Sequence, residues 1–353
     1  MDNSVAALGL YDEVKAAHER VCARISSTYP LKCVVWDSDT KTMEILSRKL
    51  ALVRFKDVRY LVPATSSKPG RVEKFITRWL SNHDFESLTC SDFVAYPSHP
   101  MGPIMTASDK TVFNVFPGFK AANELPLEDL DEVNRLVEPI ITYIRVVICG
   151  NHEERTKWLL DWHANILQRP LEKHKTAVVV NGEDRIGKGV LPDFFRECVL
   201  GPDCSFKTTD VRNTVFGRFA KGVKGNVFLQ LDEELRGMDA RGQLNGLIVN
   251  DSLNFEERYK NRRQIKNLVN VYMTTEHTTN EDISWKYALF EAEAPPIEHN
   301  DALGDEELEG VYYEGLRAHL ARPEVARAFY QFLMARDLSQ FGAFSLPPSV
   351  EAY

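Results

Sequence analysis

In the segment "GEDRIGKG", Gly182, Gly187 and Lys188 stand at G-x-x-x-x-G-K spacing. That spacing suits a loop whose backbone N–H groups turn inward around a phosphate, with glycines permitting the close approach and the lysine reaching the β- and γ-phosphates. Glu183, Asp184, Arg185, Ile186, Gly189 and Val190 complete the candidate nucleotide-binding loop. A β-branched run, "TAVVV", precedes it and a helix-like apolar segment follows, which is the setting the chemistry requires. A second apolar run, "NVFLQL", ends in Asp232 and Glu233. In P-loop NTPases the first carboxylate there holds Mg2+, so Asp232 is the candidate metal ligand, while Glu233 is placed to activate water. A third run, "LVNVYMTT", ends in Thr274, Thr275 and Glu276, the tip expected beside the γ-phosphate. These three elements predict ATP and Mg2+ as cofactors.

The surrounding composition limits the alternatives. The 353 residues carry 44% hydrophobic and 27% charged residues, in the range of a soluble globular chain with two or three domains. No apolar run is long enough to span a bilayer, and the start lacks a basic n-region, so no membrane association and a cytoplasmic, intracellular setting are expected. Six scattered cysteines without a CxxC pair argue against a zinc ribbon or a secreted disulfide framework. The formal net charge of −8 excludes a protein that coats nucleic acid with its whole surface, and any contact must use a local basic element.

The fold expected is α/β: residues 1–100 as an α+β accessory region, 101–150 as a linker and pre-motor segment, 151–296 as a core with a parallel sheet flanked by helices, and 297–353 as a helical tail. "CVVWDS" and "LALVRFKDVRYLVP" read as strands, and "GRVEKFITRWLSNH" as a helix with Phe75, Ile76 and Trp79 on one face. "YPSHPMGPIMTASDK" reads as linker because of its prolines and serines. Two helices should follow, the second ending before Pro170 with Trp158 and Trp162 on one buried face. His152, His163 and His174 read as surface or packing residues, since no cysteine or carboxylate cluster accompanies them. The acidic run "DALGDEELEG" reads as a solvated linker or an exposed helix start.

As an ordered set, these segments resemble the superfamily-3 helicase domain of primase-helicases from DNA viruses, phages and mobile elements. "FNVFPGF" (113–119) is similar to the family's motif upstream of the motor, and "WLLDWHANILQRP" to its pre-motor helix. "FGRFAKGVKGNVFLQLDEE", "LNGLIVNDSLNFEERYKNRRQIKN" and the tail "FLMARDLSQFGAFSLPPSVEAY" follow the family order. The resemblance implies a P-loop, AAA+-like core that assembles into a homo-oligomeric ring, usually a hexamer, with ATP between subunits. It implies a primase or polymerase partner, and single-stranded DNA or a forked duplex as substrate. It also implies a DNA-contacting β-hairpin before the third core strand, where Arg258, Lys260, Arg262 and Arg263 supply positive charge.

Several positions depart from that pattern. Gly189 replaces the hydroxyl that binds Mg2+, and Glu276 replaces asparagine, placing a carboxylate where a γ-phosphate would be repelled unless the side chain is protonated or turned away. Trp285 and Lys286 stand where paired arginines are usual, so Lys286 keeps the charge of an arginine finger without its planar fork. Arg185 and Ile186 replace small residues and could crowd the phosphates. Three readings follow: an ATP-dependent helicase or translocase, a degenerate subunit that binds nucleotide and nucleic acid with little hydrolysis, and a P-loop kinase. The last lacks the arginine-rich lid it would need.

Overall fold

Apolar runs broken by glycine and proline become short strands throughout, and those at the centre of the second unit are buried along nearly their whole length. The computed structural model describes residues 9–26, 31–37, 42–81, 87–91, 93–97, 99–106, 109–216, 225–232, 241–255, 263–276, 286–295 and 305–348. The chain divides into two units: Met1–Ala95 with His99–Pro117, and Gly118–Tyr353 with Tyr96–Ser98.

The first unit runs α1 (Tyr11–His18), β1 (Cys22–Ile25), β2 (Lys32–Asp37), β3 (Thr42–Ser47), α2 (Arg48–Arg54), β4 (Arg59–Val62), β5 (Arg71–Lys74), α3 (Phe75–Trp79), β6 (Thr89–Cys90), β7 (Phe93–Val94), β8 (Gly102–Met105) and β9 (Thr111–Asn114). It holds a β3-β2-β1-β6 sheet, a β4-β5 hairpin and a β7-β9-β8 sheet. Tyr11, Tyr60, Phe75, Ile76 and Trp79 form one of its cores.

Three sequence expectations change here. The run "LALVRFKDVRYLVP" is not one strand: its first half is α2, because the Ser47 hydroxyl accepts from the Leu50 amide at 3.3 Å and caps a helix that buries Ala51. The predicted helix over 70–83 begins instead as β5, and among its described residues only Phe75–Trp79 is helical. The expected linker contains β8, whose Pro103 is tolerated because β8 is an edge strand. The Asn114 amide of the "FNVFPGF" segment donates to the carbonyls of His99 (2.7 Å) and Pro100 (3.1 Å), fixing the chain just before β8.

The second unit runs α4 (Leu130–Tyr143), α5 (Glu153–Gln168), β10 (Ala177–Asn181), α6 (Val190–Phe194), β11 (Ser205–Thr208), α7 (Val211–Thr214), β12 (Phe228–Asp232), α8 (Arg241–Val249), β13 (Ser252–Phe255), β14 (Arg263–Lys266), β15 (Asn270–Thr275), β16 (Tyr287–Glu291), α9 (Asp305–Leu320) and α10 (Pro323–Met334). π-helical stretches continue α4 over Ile144–Ile148 and α6 over Phe195–Leu200. Five strands form an all-parallel sheet in the order β11-β12-β15-β10-β16. Ala177 to Val180 and all of β15 are buried, as strands covered by helices on both faces must be.

α5 ends before Pro170 as its sequence indicates, and Trp158 and Trp162 are both buried, although the burial extends well beyond the face they share. Nearly the whole helix is buried, because the chain after α10 returns over it. Trp158 Nε1 donates to Ser345 Oγ (3.2 Å), and Gln168 Nε2 to the carbonyls of Leu333 (2.8 Å) and Arg336 (2.9 Å). His163 and His174 are buried packing residues, as expected, whereas His152 is exposed. All six thiols are free and all but Cys198 are buried. Among the described residues, no helix is long and apolar enough to cross a membrane.

Burial holds the imidazoles of His163 and His174 down to a pKa of about 4. Unfolding restores a value near 6.5, so the unfolded chain takes up protons that the folded chain refuses. The stability from these two sites is complete above pH 6.5 and is lost as pH falls toward 4. Each site is worth on the order of a few kcal/mol across that window. His163→Phe should therefore flatten the acid-side loss of stability measured by urea unfolding at several pH values. A pH profile parallel to that of the wild type would refute the assignment.

Candidate functional site

The strand order sets the place of the site. The connection leaving β10 runs to β11 at the far edge, while the connection leaving β15 crosses to β16 on the other side of β10. Adjacent strands whose connections part in this way open a crevice at their carboxyl ends, where ligands bind in open α/β sheets. A cavity of about 660 Å³ lies there, lined among others by Gly187, Lys188, Gly189, Asp232, Thr274 and Glu276.

The loop between β10 and α6 has a specific backbone. Arg185 and Gly187 both have positive φ, 65° and 86°. At Gly187 a Cβ would fall 2.3 Å from the Tyr313 ring, so only glycine fits there. Two phenols hold the loop by its carbonyls: Tyr143 OH donates to Gly187 O and Tyr313 OH to Ile186 O, each at 2.7 Å. Burial pushes both phenols well above their usual pKa, so they stay protonated donors. A trans peptide points its N–H opposite to its C=O, so these bonds turn the amides of Gly187 and Lys188 away from the phenols. Among the described residues, the backbone N–H groups of Gly187, Lys188 and Gly189 have no acceptor. Three consecutive free amides at the entrance to a helix make a concavity for an anion.

Lys188 is buried, and its ammonium points back into its own loop. It donates to Gly182 O (3.0 Å) and Glu183 O (2.9 Å), and lies 3.4 Å from Glu276 Oε1. Glu276 thus faces the lysine and engages it. Asp232, at the exposed end of β12, accepts from Thr274 Oγ1 at 3.0 Å across the ladder. Gly189 has an ordinary φ of −84°, and a Cβ there would meet only Asp193 Oδ2, at 3.4 Å. The missing hydroxyl is therefore not a steric necessity.

Of the nine predicted loop residues, Asp184, Arg185, Gly187, Lys188, Gly189 and Val190 line the cavity. Gly182, Glu183 and Ile186 do not. A Cβ on Gly182 would stand 3.0 Å from Ile186 Cγ2, which places Ile186 beside the strand end, whereas Arg185 lines the cavity. Sequence reasoning missed Arg196, Lys207 and Arg317, three cations that also line the cavity. Arg196 and Lys207 both pair with Asp193, at 3.5 and 3.2 Å. Arg317 comes from α9, too far along the chain for any local pattern to announce it. The lining cations are matched by Asp184, Asp193, Glu197, Asp232 and Glu276, so the cavity is close to electrically balanced.

No family model matches the chain, and no curated protein does. Solved structures do match. The A-form apo structure of the NrS-1 C-terminal region has a TM-score of 0.61 at 14% identity, over 96% of this chain and 72% of that one. A second apo structure of that region gives 0.62 at 13% identity, over 94% and 71%. The fold is similar to that of the NrS-1 C-terminal region.

In this NrS-1-like fold the remaining predicted residues lie away from the cavity or outside the described residues. Lys286 precedes β16, where its carbonyl accepts from the Ala177 amide, at the amino end of the sheet and opposite the cavity. β13 and β14 pair antiparallel with Phe255 opposite Arg263, forming the base of the expected hairpin just before β15. Arg258, Lys260 and Arg262 lie outside the described residues, as does Glu233. Lys173 is buried beneath this base and donates to Leu247 O, and Asn267 Nδ2 bonds Leu247 O and Asn250 O at 2.7 Å each. Burial lowers the Lys173 ammonium to a pKa of about 7.

Proposed function

We propose that the chain is a nucleic-acid-dependent ATPase of the helicase or translocase type, acting in replication of a virus, phage or mobile element. The observation that carries the reading is the row of three unpartnered amides, Gly187 to Gly189, beside Lys188 at the sheet's switch point. A phosphate chain accepts from those amides, and Lys188 exchanges its own loop's carbonyls for phosphate oxygens. This gives the loop the work of a P-loop in an AAA+-like core. Its grip is made in advance by Tyr143 and Tyr313, so little rearrangement is needed when the anion arrives.

Mg2+ suits the donor set. It takes one or two carboxylates and completes its shell with water and substrate phosphates. Asp232 would hold it, with Thr274 fixing one carboxylate oxygen. The ion would supply charge neutralisation between phosphate oxygens, which the electrically balanced cavity needs for a polyanion. Glu233 follows Asp232 directly and is the proposed water-activating base. The ring, the hexamer, Lys286 acting in a neighbouring subunit and the hairpin of Arg258, Lys260, Arg262 and Arg263 on single-stranded DNA or a fork belong to the same proposal. So does a primase or polymerase partner. Both Lys286 and the hairpin base lie at the amino end of the sheet, leaving the carboxyl end to the nucleotide.

A second reading has its own observation. The Lys188–Glu276 pair occupies the ammonium that a γ-phosphate would need, which favours a subunit that binds nucleotide but turns it over slowly. Phosphate release from ATP, measured with and without single-stranded DNA, separates the two. The motor reading expects DNA-stimulated release that requires Mg2+ and falls at least about a hundredfold in Asp232→Asn. Nucleotide binding without release would select the second reading, and no nucleotide binding by folded protein would defeat both.

A further inference from the structure

Residues 48–78 contain nine lysines or arginines and only two acidic residues, in a chain whose net charge is −8. They form α2, the turn after it, the β4-β5 hairpin and α3, all within the first unit. Some of these cations are locally satisfied: Arg54 pairs with Glu44, Arg71 with Glu73 at 2.6 Å, and Arg78 lies over the Tyr11 ring. Arg48, Lys49, Lys56, Arg59, Lys68 and Lys74 have no carboxylate partner among the described residues.

Their placement works against the fold. Arg48 and Lys49 occupy the first turn of α2, where the helix dipole disfavours positive charge. Arg59 stands directly opposite Lys74 across the ladder, a like-charge pair that weakens a hairpin. Arg59 also donates to Lys56 O at 3.1 Å, which gathers Lys56, Arg59 and Lys74 at the hairpin's base. Strand alternation directs Tyr60 and Glu73 to the buried side, where they bond to each other at 2.5 Å. The opposite face presents Arg59, Leu61, Val72 and Lys74, with Leu61 and Val72 exposed. Repulsion that the protein's own carboxylates do not relieve is relieved when an external polyanion lies across these groups.

We propose that this face is a docking surface for the phosphate backbone of duplex DNA, made of residues other than those of the nucleotide cavity and other than Arg258, Lys260, Arg262 and Arg263. On the β4-β5 ribbon this face carries no aromatic side chain, since Tyr60 is buried, and Phe55 of the preceding turn packs against His18 and the core. It therefore lacks the platform on which unpaired bases stack. Charge without aromatics, on a two-stranded ribbon, suits a duplex backbone bound without regard to sequence. α2, at seven residues, is too short to lay an apolar face into a lipid surface.

The test uses the full chain without nucleotide. Binding of a fluorescent DNA duplex is followed over a salt titration for wild type and for Lys56→Gln/Lys74→Gln. Removing two phosphate contacts should lower the slope of log K against log salt by about 2, and affinity at moderate salt by roughly tenfold. Thermal stability should be unchanged or raised, because Lys74 no longer opposes Arg59. An unchanged slope overturns the proposal, as does preference for phosphatidylserine vesicles over the duplex. Phosphate release from ATP is measured on the same samples. Its absence with the slope change intact would sink the motor reading alone, and its presence with an unchanged slope would sink the docking surface alone.

Discussion

Lys188→Met is expected to abolish phosphate release and to weaken nucleotide binding by at least about a hundredfold. The side chain is buried, so methionine fills its volume while removing the charge. A charge-assisted hydrogen bond to phosphate contributes about 1.5–3 kcal/mol, and an ammonium facing two phosphates makes more than one. The substitution also leaves Gly182 O and Glu183 O without their donor. That costs about 1–3 kcal/mol for each group kept from water, so the folded state should lose stability as well. Nucleotide titration by calorimetry, with thermal unfolding on the same samples, checks both. Unimpaired binding by the folded variant would show that the three free amides and the cavity do not bind phosphate through this lysine.

The two losses have different origins, and the difference explains how much could be read from sequence. Lys188, Asp232 and Glu276 were legible because each follows an apolar strand in chain order. Parallel strands buried on both faces bring such tips to one edge. The residues that shape the loop were not legible. Tyr143 and Tyr313 lie 44 and 127 positions from the carbonyls they bind, on helices whose periodicity reports only that one side is buried. Gly187 did signal a tight backbone, but not that an aromatic ring would occupy its missing Cβ. Burial of α5 on nearly every side was hidden for a related reason. The tail that covers it, from Leu338 to Pro348, has no regular period of its own.

In the first unit, errors came from elements too short to leave a pattern. α2 and β4 share one apolar run: the cap bond at Ser47 starts the helix, and a turn in which the Val58 amide donates to Phe55 O at 3.1 Å separates it from the strand. β8 was disguised by Pro103, which an edge strand accepts because its N–H would have no partner there. The basic character of 48–78 was present in the sequence throughout. What sequence could not show was that Arg59 and Lys74 meet across a ladder, and that Tyr60 and Glu73 turn inward and leave those cations outside.

Glu276→Gln is expected to tighten ATP by about tenfold while changing ADP affinity much less. Glu276 Oε1 lies 3.4 Å from Lys188 Nζ, with the carboxylate side chain 43% exposed. An ion pair so open to solvent contributes only about 0–1 kcal/mol to stability, so the protein loses little when it is broken. An arriving triphosphate experiences something larger. Two like charges about 4 Å apart repel by roughly 4 kcal/mol at an effective dielectric of 20, and solvent exposure reduces this to about 1–2 kcal/mol. Glutamine keeps the shape and can still hydrogen-bond a phosphate oxygen, but it neither competes for Lys188 nor repels the anion. The gain should fall on the ligand whose last phosphate reaches the tip of β15, which is why ATP and ADP must be compared. If phosphate release rises together with ATP affinity, the native carboxylate acts as a brake on a working motor. If affinity rises without release, the carboxylate only gates entry and the slow-turnover reading is favoured. Equal tightening of both nucleotides would place Glu276 beside the inner phosphates, and weaker ATP binding would mean that its charge holds the loop in its competent shape.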